Sequence, residues 1–246
     1  MDYIILLIVI VIILLSLYLL NISNISKDTF QNNELKKVFD TIYDNKIWTA
    51  EGNGSGSGSE PYNTINTIKV LVKIIMDNNI KVMIDSPCGS CKWTRLLLEE
   101  LKKNNIKIKY YGFDIADEPI ANANKELESL KSYHDIELKF GDLTNMTFPK
   151  ADLLLCRDVL QHLSYDNIFK IINNFSKADV KMFLLGAYIS CDNRNIADGE
   201  YFPINLAIEP FNMIPEALYY DSPDGNKYLF QYSKINPIDI QTQLIN

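Results

Sequence analysis

An α/β fold built on a mostly parallel sheet is what this 246-residue chain predicts. Three observations lead there. From Ile80 onward, short apolar runs alternate with amphipathic stretches, the order of strand-helix units. Three successive runs lead into an acid: Asp85, Asp114 and, after Gly141, Asp142. A fourth, Asp152-Leu153-Leu154-Leu155-Cys156, is almost continuously apolar, as a strand covered on both faces must be.

The elements follow in order. Tyr3 to Leu20 is apolar except at Ser16. As a helix it would be about 27 Å long, close to a hydrocarbon core. No cleavage-site pattern follows, so the run is expected to stay as an anchor. Lys27, Lys36 and Lys37 come after it and no Lys or Arg before it, which predicts a domain facing the cytosol. The expected division is a transmembrane anchor over 1–22, a polar stalk over 23–33 and one domain over 34–246. Within that domain, 34–79 forms an N-terminal cap, 80–187 the core, and 188–246 a substrate-side segment with the last strands.

Glu34 to Tyr43 has helical spacing through Leu35, Val38, Phe39 and Ile42. The Gly-Ser run at 54–59 is either a flexible linker or a segment folded over a ligand. Glu60 to Asn79 predicts a helix. Strand one is expected over Lys81 to Ile84, ending at Asp85, followed by the turn Ser86-Pro87-Cys88-Gly89-Ser90 and a helix from about Cys91. Further strands are expected at Ile108 to Phe113, Ile136 to Phe140, Asp152 to Cys156, Val180 to Leu185 and Lys227 to Tyr232. Helices are expected at Asp117 to Ser132 and Tyr165 to Phe175.

Composition narrows the function. Net charge is −7 and no Lys/Arg run forms a phosphate-tracking patch, so nucleic acid is not an expected partner. Cys88, Cys91, Cys156 and Cys191 do not form a secreted disulfide framework in a chain this long. One C-x-x-C without a second pair, and with His134 and His162 distant in sequence, predicts no metal site.

Strand, tight turn, helix, strand ending in an acid is how an open α/β sheet holds a nucleoside. Glycine at 89 admits close approach of the ligand to the backbone. An acid at the end of strand two can accept from both ribose hydroxyls. No G-x-G-x-x-G occurs, which disfavours a dinucleotide, since those glycines serve a pyrophosphate. Two alternatives stay open. Cys88 and Cys91 stand where a thioredoxin-like pair would, with a helix N-terminus to lower the first thiol's pKa. Each strand-end Asp could also simply cap its own turn.

These residues resemble a class I S-adenosylmethionine-dependent methyltransferase, in a subgroup whose first loop reads D-x-P-C-G-x-x-x-W. Asp85-Ser86-Pro87-Cys88-Gly89 with Trp93, Tyr110 to Ile115, and Asp152 to Ser164 carry the resemblance. Phe39, Tyr43, Trp48 and Ser55 to Ser59 resemble the segment that precedes the domain in that subgroup. The resemblance implies a Rossmann-like, seven-stranded, mostly parallel sheet with helices on both faces. It implies S-adenosyl-L-methionine as cofactor. Asp85 and Gly89 would lie by the methionine moiety, Asp114 would take the ribose hydroxyls, and Asp142 would accept from the adenine amino group with Leu143 beside the ring, while Cys88, Trp93 and Ile115 are further expected cofactor-binding residues. Cys156 and Trp48 would complete the cofactor side.

Arg157, Asp158 and His162 follow strand four, at the sheet edge where such folds bind ligands. If the chain turns helical there, Asp158 and His162 share a face. His162 would be the base for a hydroxyl acceptor, oriented by Asp158. The alternative packs His162 as ordinary structure and uses Asp158 as a cap. Gly186 to Pro215 would shape the acceptor side. The expected function is methyl transfer to a small-molecule, sugar or lipid-linked acceptor, with the membrane reached through residues 3–20. The competing readings are a binding module of the same fold that has lost turnover, and the thiol pair.

Overall fold

The computed structural model describes residues 13–15, 34–48, 55–222 and 226–238. The expected anchor and stalk lie outside them, except for the helical residues 13–15. Among the described residues no helix is long and apolar enough to cross a membrane. The chain divides into two compact units, 1–38 and 39–246. In the smaller unit residues 34–38 are helical. The larger unit starts with helical residues 39–44.

The larger unit carries a seven-stranded sheet. In chain order the elements are α1 (Ile65–Asp77), β1 (Val82–Asp85), α2 (Lys92–Lys103), β2 (Lys109–Asp114), α3 (Asp117–Glu126) and β3 (Asp135–Phe140). They continue as β4 (Leu153–Cys156), α4 (Tyr165–Phe175), β5 (Phe183–Tyr188), β6 (Ala217–Ser222) and β7 (Lys227–Tyr232). Spatial order is β3-β2-β1-β4-β5-β7-β6. Strands β1 to β5 are parallel, and β7 runs antiparallel between β5 and β6. Strand order reverses between β1 and β4. The carboxyl ends of those strands open the crevice where ligands bind in such sheets.

The core follows the sequence pattern. Every residue of β4 and β5 is buried, so both faces of the central sheet are covered. Helix α1 buries Leu71, Ile74 and Ile75 along one stripe, and α2 buries Trp93, Leu97, Leu98 and Leu101. Lys102 and Lys103 in the last turn of α2 complement its dipole, as Asp117 and Glu118 do at the start of α3. The edge strand β3 is largely accessible and carries Glu137 and Lys139, an ion pair at 2.6 Å that blunts the edge.

Some boundaries differ from the sequence pattern. The helix expected over Glu60 to Asn79 begins as two 3-10 turns, Ser57–Ser59 and Pro61–Asn63, because Pro61 and the Gly-Ser run cannot propagate an α-helix. The helix expected to reach Ser132 gives way after Glu126 to a 3-10 turn, Glu128–Leu130. Strand β5 starts later and ends later than its apolar run suggests. Val180 makes only an isolated bridge to Ala151, while Ala187 and Tyr188 are drawn in by pairing with Tyr228 and Lys227 of β7.

Candidate functional site

The first loop is built from β1 and the start of α2. Gly89 has φ +55°, and a Cβ there would lie 3.0 Å from Ser55 Oγ, so both backbone and space favour glycine. Its N–H donates to Asp114 Oδ2 at 3.0 Å, which ties the loop to the end of β2. Asp114 Oδ1 accepts from the Ala116 N–H at 3.0 Å. Burial raises the Asp114 carboxyl to about 6, and three backbone N–H groups restrain the rise. Asp85 is buried and accepts from Tyr110 Oη at 2.8 Å and Thr94 Oγ1 at 3.2 Å. Burial raises it to about 7.

The two loop thiols are not in the environment of a reactive pair. Cys88 and Cys91 are both buried. The neighbouring Cys91 thiol, with burial, pushes Cys88 well above the ordinary thiol value, opposite to the lowering a redox pair needs. Cys91 lies within 3.5 Å of Tyr110 Oη, the hydroxyl that donates to Asp85. The pair therefore braces the loop from beneath. Cys156 is wholly buried at the end of β4, and burial raises its thiol strongly.

At the end of β3, Asp142 Oδ1 accepts from the Thr144 N–H at 2.8 Å and from Thr144 Oγ1 at 2.7 Å. Its other oxygen, Oδ2, is buried with no hydrogen-bond partner. Leu143 is buried beside it and Ile115 is half-buried after β2. An orphaned buried carboxylate oxygen calls for a donor. The amino group of an adenine is such a donor, and the Gly89 turn leaves backbone accessible to a ligand. The residues present fit an adenosyl cofactor on both counts.

The Gly-Ser run folds onto this loop. Ser55 Oγ bonds Ser90 Oγ at 3.5 Å and the Ser90 N–H at 3.4 Å, with Tyr43 Oη 3.5 Å away. Next to it, Gly58 meets Asp158. A Cβ on Gly58 would lie 2.6 Å from Asp158 Oδ2, so only glycine fits.

Arg157 and Asp158 belong to a buried ion network that sequence spacing did not reveal. Arg157 Nε bonds both oxygens of Asp221 at 3.0 Å, and its Nη1 donates to the Gly58 carbonyl at 3.0 Å. Arg157 Nη1 also lies 2.6 Å from Asp158 Oδ2. Lys227 Nζ pairs with Asp158 Oδ1 at 2.5 Å and with Asp221 Oδ2 at 3.1 Å. Thr67 Oγ1 donates to Asp221 from α1. Burial alone would raise the Asp158 carboxyl, but Arg157 and Lys227 hold it well below the ordinary carboxylate range. Trp93 stands under Arg157, its ring centre 5.6 Å from the guanidinium carbon.

Asp158 and His162 do not share the helical face that their spacing suggested. Asp158 has φ +59°, which breaks any helix there, and only Leu160–His162 forms a 3-10 turn. Their side chains have different partners. Asp158 accepts from Gln161 and Lys227, while His162 Nδ1 bonds the Glu200 carbonyl at 2.9 Å. A carbonyl oxygen only accepts, so Nδ1 carries the proton and Nε2 the lone pair. Among the described residues Nε2 has no hydrogen-bond partner. Burial lowers the His162 pKa, which keeps the ring neutral. Trp48 stacks against it, ring centres 4.4 Å apart, and Tyr201 lies 5.5 Å away.

Trp48, His162 and Tyr201 line a cavity of ≈ 280 Å³, with the 55–58 turn along one side and Asp158, Gln161, Tyr188, Ser222 and Lys227 completing it. It opens beyond the carboxyl ends of β4 and β5. Of the residues singled out from sequence, the structure gathers Trp48, Asp158 and His162 here, and Asp85, Cys88, Gly89 and Asp114 around the first loop. Arg157 lies beneath the cavity, and Asp142 with Leu143 forms a third station at β3. Lys227, Asp221, Gln161 and Tyr201 escaped the sequence reading, for no local spacing marks them. Among the described residues no group of His, Cys, Asp and Glu is placed to hold a metal ion.

Residues 84–178 match a family described as "Methyltransferase domain". No curated protein matches the chain. Magnesium protoporphyrin IX methyltransferase from Synechocystis PCC 6803 with bound SAM is similar in structure. Its TM-score is 0.56 at 15% identity, over 82% of this chain and 96% of that one. In the same enzyme with bound SAH the match spans 56% of that chain. An O-methyltransferase family protein from Burkholderia thailandensis has a TM-score of 0.50 at 15% identity, over 70% of this chain and 56% of that one. The S-adenosylmethionine-dependent methyltransferase SibL in its apo form has a TM-score of 0.52 at 10% identity, over 69% of this chain and 55% of that one. At such identities the likeness shows the fold. The chain is thus similar to methyltransferases in sequence over residues 84–178 and shares their Rossmann-like α/β fold with a mostly parallel seven-stranded sheet.

Proposed function

We propose that the protein transfers a methyl group from S-adenosylmethionine to an oxygen atom of a small-molecule acceptor, with His162 as the base. The carrying observation is the Nδ1 bond from His162 to the Glu200 carbonyl, which leaves Nε2 free as a base in the cavity.

When bound, S-adenosylmethionine supplies an electrophilic methyl carbon. The chain's own residues do the rest. Asp142 Oδ2 accepts from the adenine amino group, with Leu143 against the ring. Asp114 takes the ribose hydroxyls beside Ile115. Gly89 offers its backbone to the methionine end, with Asp85, Cys88 and Trp93 supporting the loop from beneath. His162 Nε2 receives the acceptor's hydroxyl proton, and its neutral state is what makes that possible. Asp158, already paired with Lys227 and Arg157, fixes the cavity floor. Arg157 holds the Gly58 carbonyl and so positions the turn that covers the site and excludes water.

The test is incubation with S-adenosylmethionine and a panel of hydroxyl, amine and thiol acceptors, following S-adenosylhomocysteine by mass spectrometry. Release with hydroxyl compounds, lost in His162→Ala, supports the reading. Transfer only to amines or thiols, or unchanged turnover in His162→Ala, overturns it.

Residues 3–20 supply the ground for a membrane anchor, and Lys27, Lys36 and Lys37 for a cytosolic domain. Such an anchor would bring the site to acceptors carried on lipid. Carbonate-resistant membrane association that disappears on deletion of 1–22 is the expected result. Full-length chain in the soluble fraction would refute it.

A further inference from the structure

We propose that the cavity over His162 takes a small, uncharged hydroxy-aromatic compound as the methyl acceptor. The inference rests on the methyltransferase reading of the same site and narrows its substrate class.

Size comes first. The cavity measures ≈ 280 Å³. A cavity of about 150 Å³ is enough to hold benzene. The space therefore suits one ring with substituents, or two fused rings, at the reacting end of the acceptor.

The wall comes second. Trp48 stacks on His162, His162 faces Tyr201, and Tyr201 Oη bonds Tyr188 Oη at 3.3 Å. Three rings thus follow one another along the cavity, and Tyr188 joins them through its hydroxyl. Planar π-systems pack on such a surface in offset or edge-on arrangements, with a gain beyond area burial.

Charge comes third. Both cations at the floor are matched by both anions: Arg157 and Lys227 against Asp158 and Asp221. An ionised acceptor would lose its hydration here without gaining an unpaired counter-charge. A polyol fares little better. Gln161 Nε2 and Lys227 Nζ are engaged with Asp158, and Ser55 with Ser90. Those three side chains are already spent within the protein and do not serve a ring with a hydroxyl on every carbon, whereas His162 Nε2 suffices for a phenol.

The step balances. The phenolic proton passes to His162 Nε2, the oxygen lone pair forms the O–CH3 bond, and the S–CH3 bond breaks with its electrons on sulfur, giving S-adenosylhomocysteine. The imidazolium then returns its proton to solvent.

Three matched probes test the class by calorimetry on the whole protein, with and without S-adenosylhomocysteine: catechol, cyclohexane-1,2-diol and 2,3-dihydroxybenzoate. The expectation is that catechol binds at least tenfold more tightly than either of the others. Tyr201 is 55% exposed, so its truncation leaves the fold intact. Tyr201→Ala is expected to weaken catechol at least fivefold. Equal or tighter binding of the diol would indicate a saturated polyol and overturn the proposal. Tighter binding of the benzoate would do the same for an uncharged ligand, as would an absence of heat with catechol. Heat with S-adenosylhomocysteine in the same preparation separates the two levels. If it binds and catechol does not, only the acceptor class fails. If it does not bind, the methyltransferase reading itself fails.

Discussion

The Gly58 carbonyl accepts a 3.0 Å hydrogen bond from Arg157 Nη1, across 99 positions of sequence. This bond joins the Gly-Ser turn to the end of β4, so the cover of the cavity and its floor are one construction. Asp221 completes it from β6, and Lys227 from β7.

Gly58→Ala therefore strikes the contact directly, because the new methyl would fall 2.6 Å from Asp158 Oδ2. Overpacking of this kind costs about 1–3 kcal/mol. Thermal denaturation should show that loss. Asp221→Ala should cost more, about 3–5 kcal/mol, since two buried cations would be left to share Asp158. A Gly58→Ala protein as stable as the parent would contradict the geometry.

With His162 as the proposed base, turnover is expected to depend on pH in one direction. Only the neutral ring accepts a proton, and burial holds its pKa below the ordinary 6.5. Asp158 pulls that value up and Lys227 pulls it down, both less strongly than burial. Activity should be full at neutral pH and fall as pH drops through an inflection below 6.5. His162→Ala should lower kcat/KM by about 10²–10⁴-fold and remove the inflection. Its affinity for S-adenosylhomocysteine should stay within about twofold, a change of about 0.4 kcal/mol.

Asp142→Asn keeps the oxygen that caps Thr144 but turns the orphaned Oδ2 into an amide donor. Two donors would then face each other at the adenine amino group. The expected loss of S-adenosylhomocysteine affinity is about tenfold to a hundredfold, in the 1–3 kcal/mol range of a mismatched buried polar group. Calorimetry with the nucleoside checks it. Unchanged affinity would remove Asp142 from the adenine site.

Asp85 makes stability fall as pH rises. Its carboxyl is raised from 3.8 to about 7 by burial, so between those values the folded chain holds a proton that the unfolded chain has released. The Asp85 contribution to stability then declines across that window, by about 1.4 kcal/mol for each full pKa unit. Asp114, raised to about 6, adds a smaller slope of the same sign. Asp85→Asn should flatten the dependence without abolishing it, because Tyr110 and Thr94 keep an oxygen acceptor. Urea denaturation at pH 5 and pH 8 would show the difference narrowing in the variant. His162 and His134, lowered by burial, work in the opposite sense between pH 5 and 6.5, so the parent-to-variant difference is the readout, and a pH dependence unchanged in Asp85→Asn would sink the assignment.

The chain by itself determined the parallel sheet, since apolar period and strand-end acids are local features that survive any docking. It also determined the turn at Gly89, the carboxyl end of β4 and both ends of α4 and β7. Tertiary structure alone decided the rest. Asp158 was drawn from His162 by Lys227, a residue 69 positions away, and its positive φ ended the helix that spacing had suggested. The neutral, one-sided state of His162 depends on a carbonyl 38 residues on. Strand β6 and Asp221 entered through pairing with β7, which draws on long-range hydrogen bonds and not on pattern. Local sequence fixes backbone preference through short-range sterics and burial. Charges and tautomers are set by whichever groups folding brings within a few ångströms, and in this protein those groups come from distant parts of the chain.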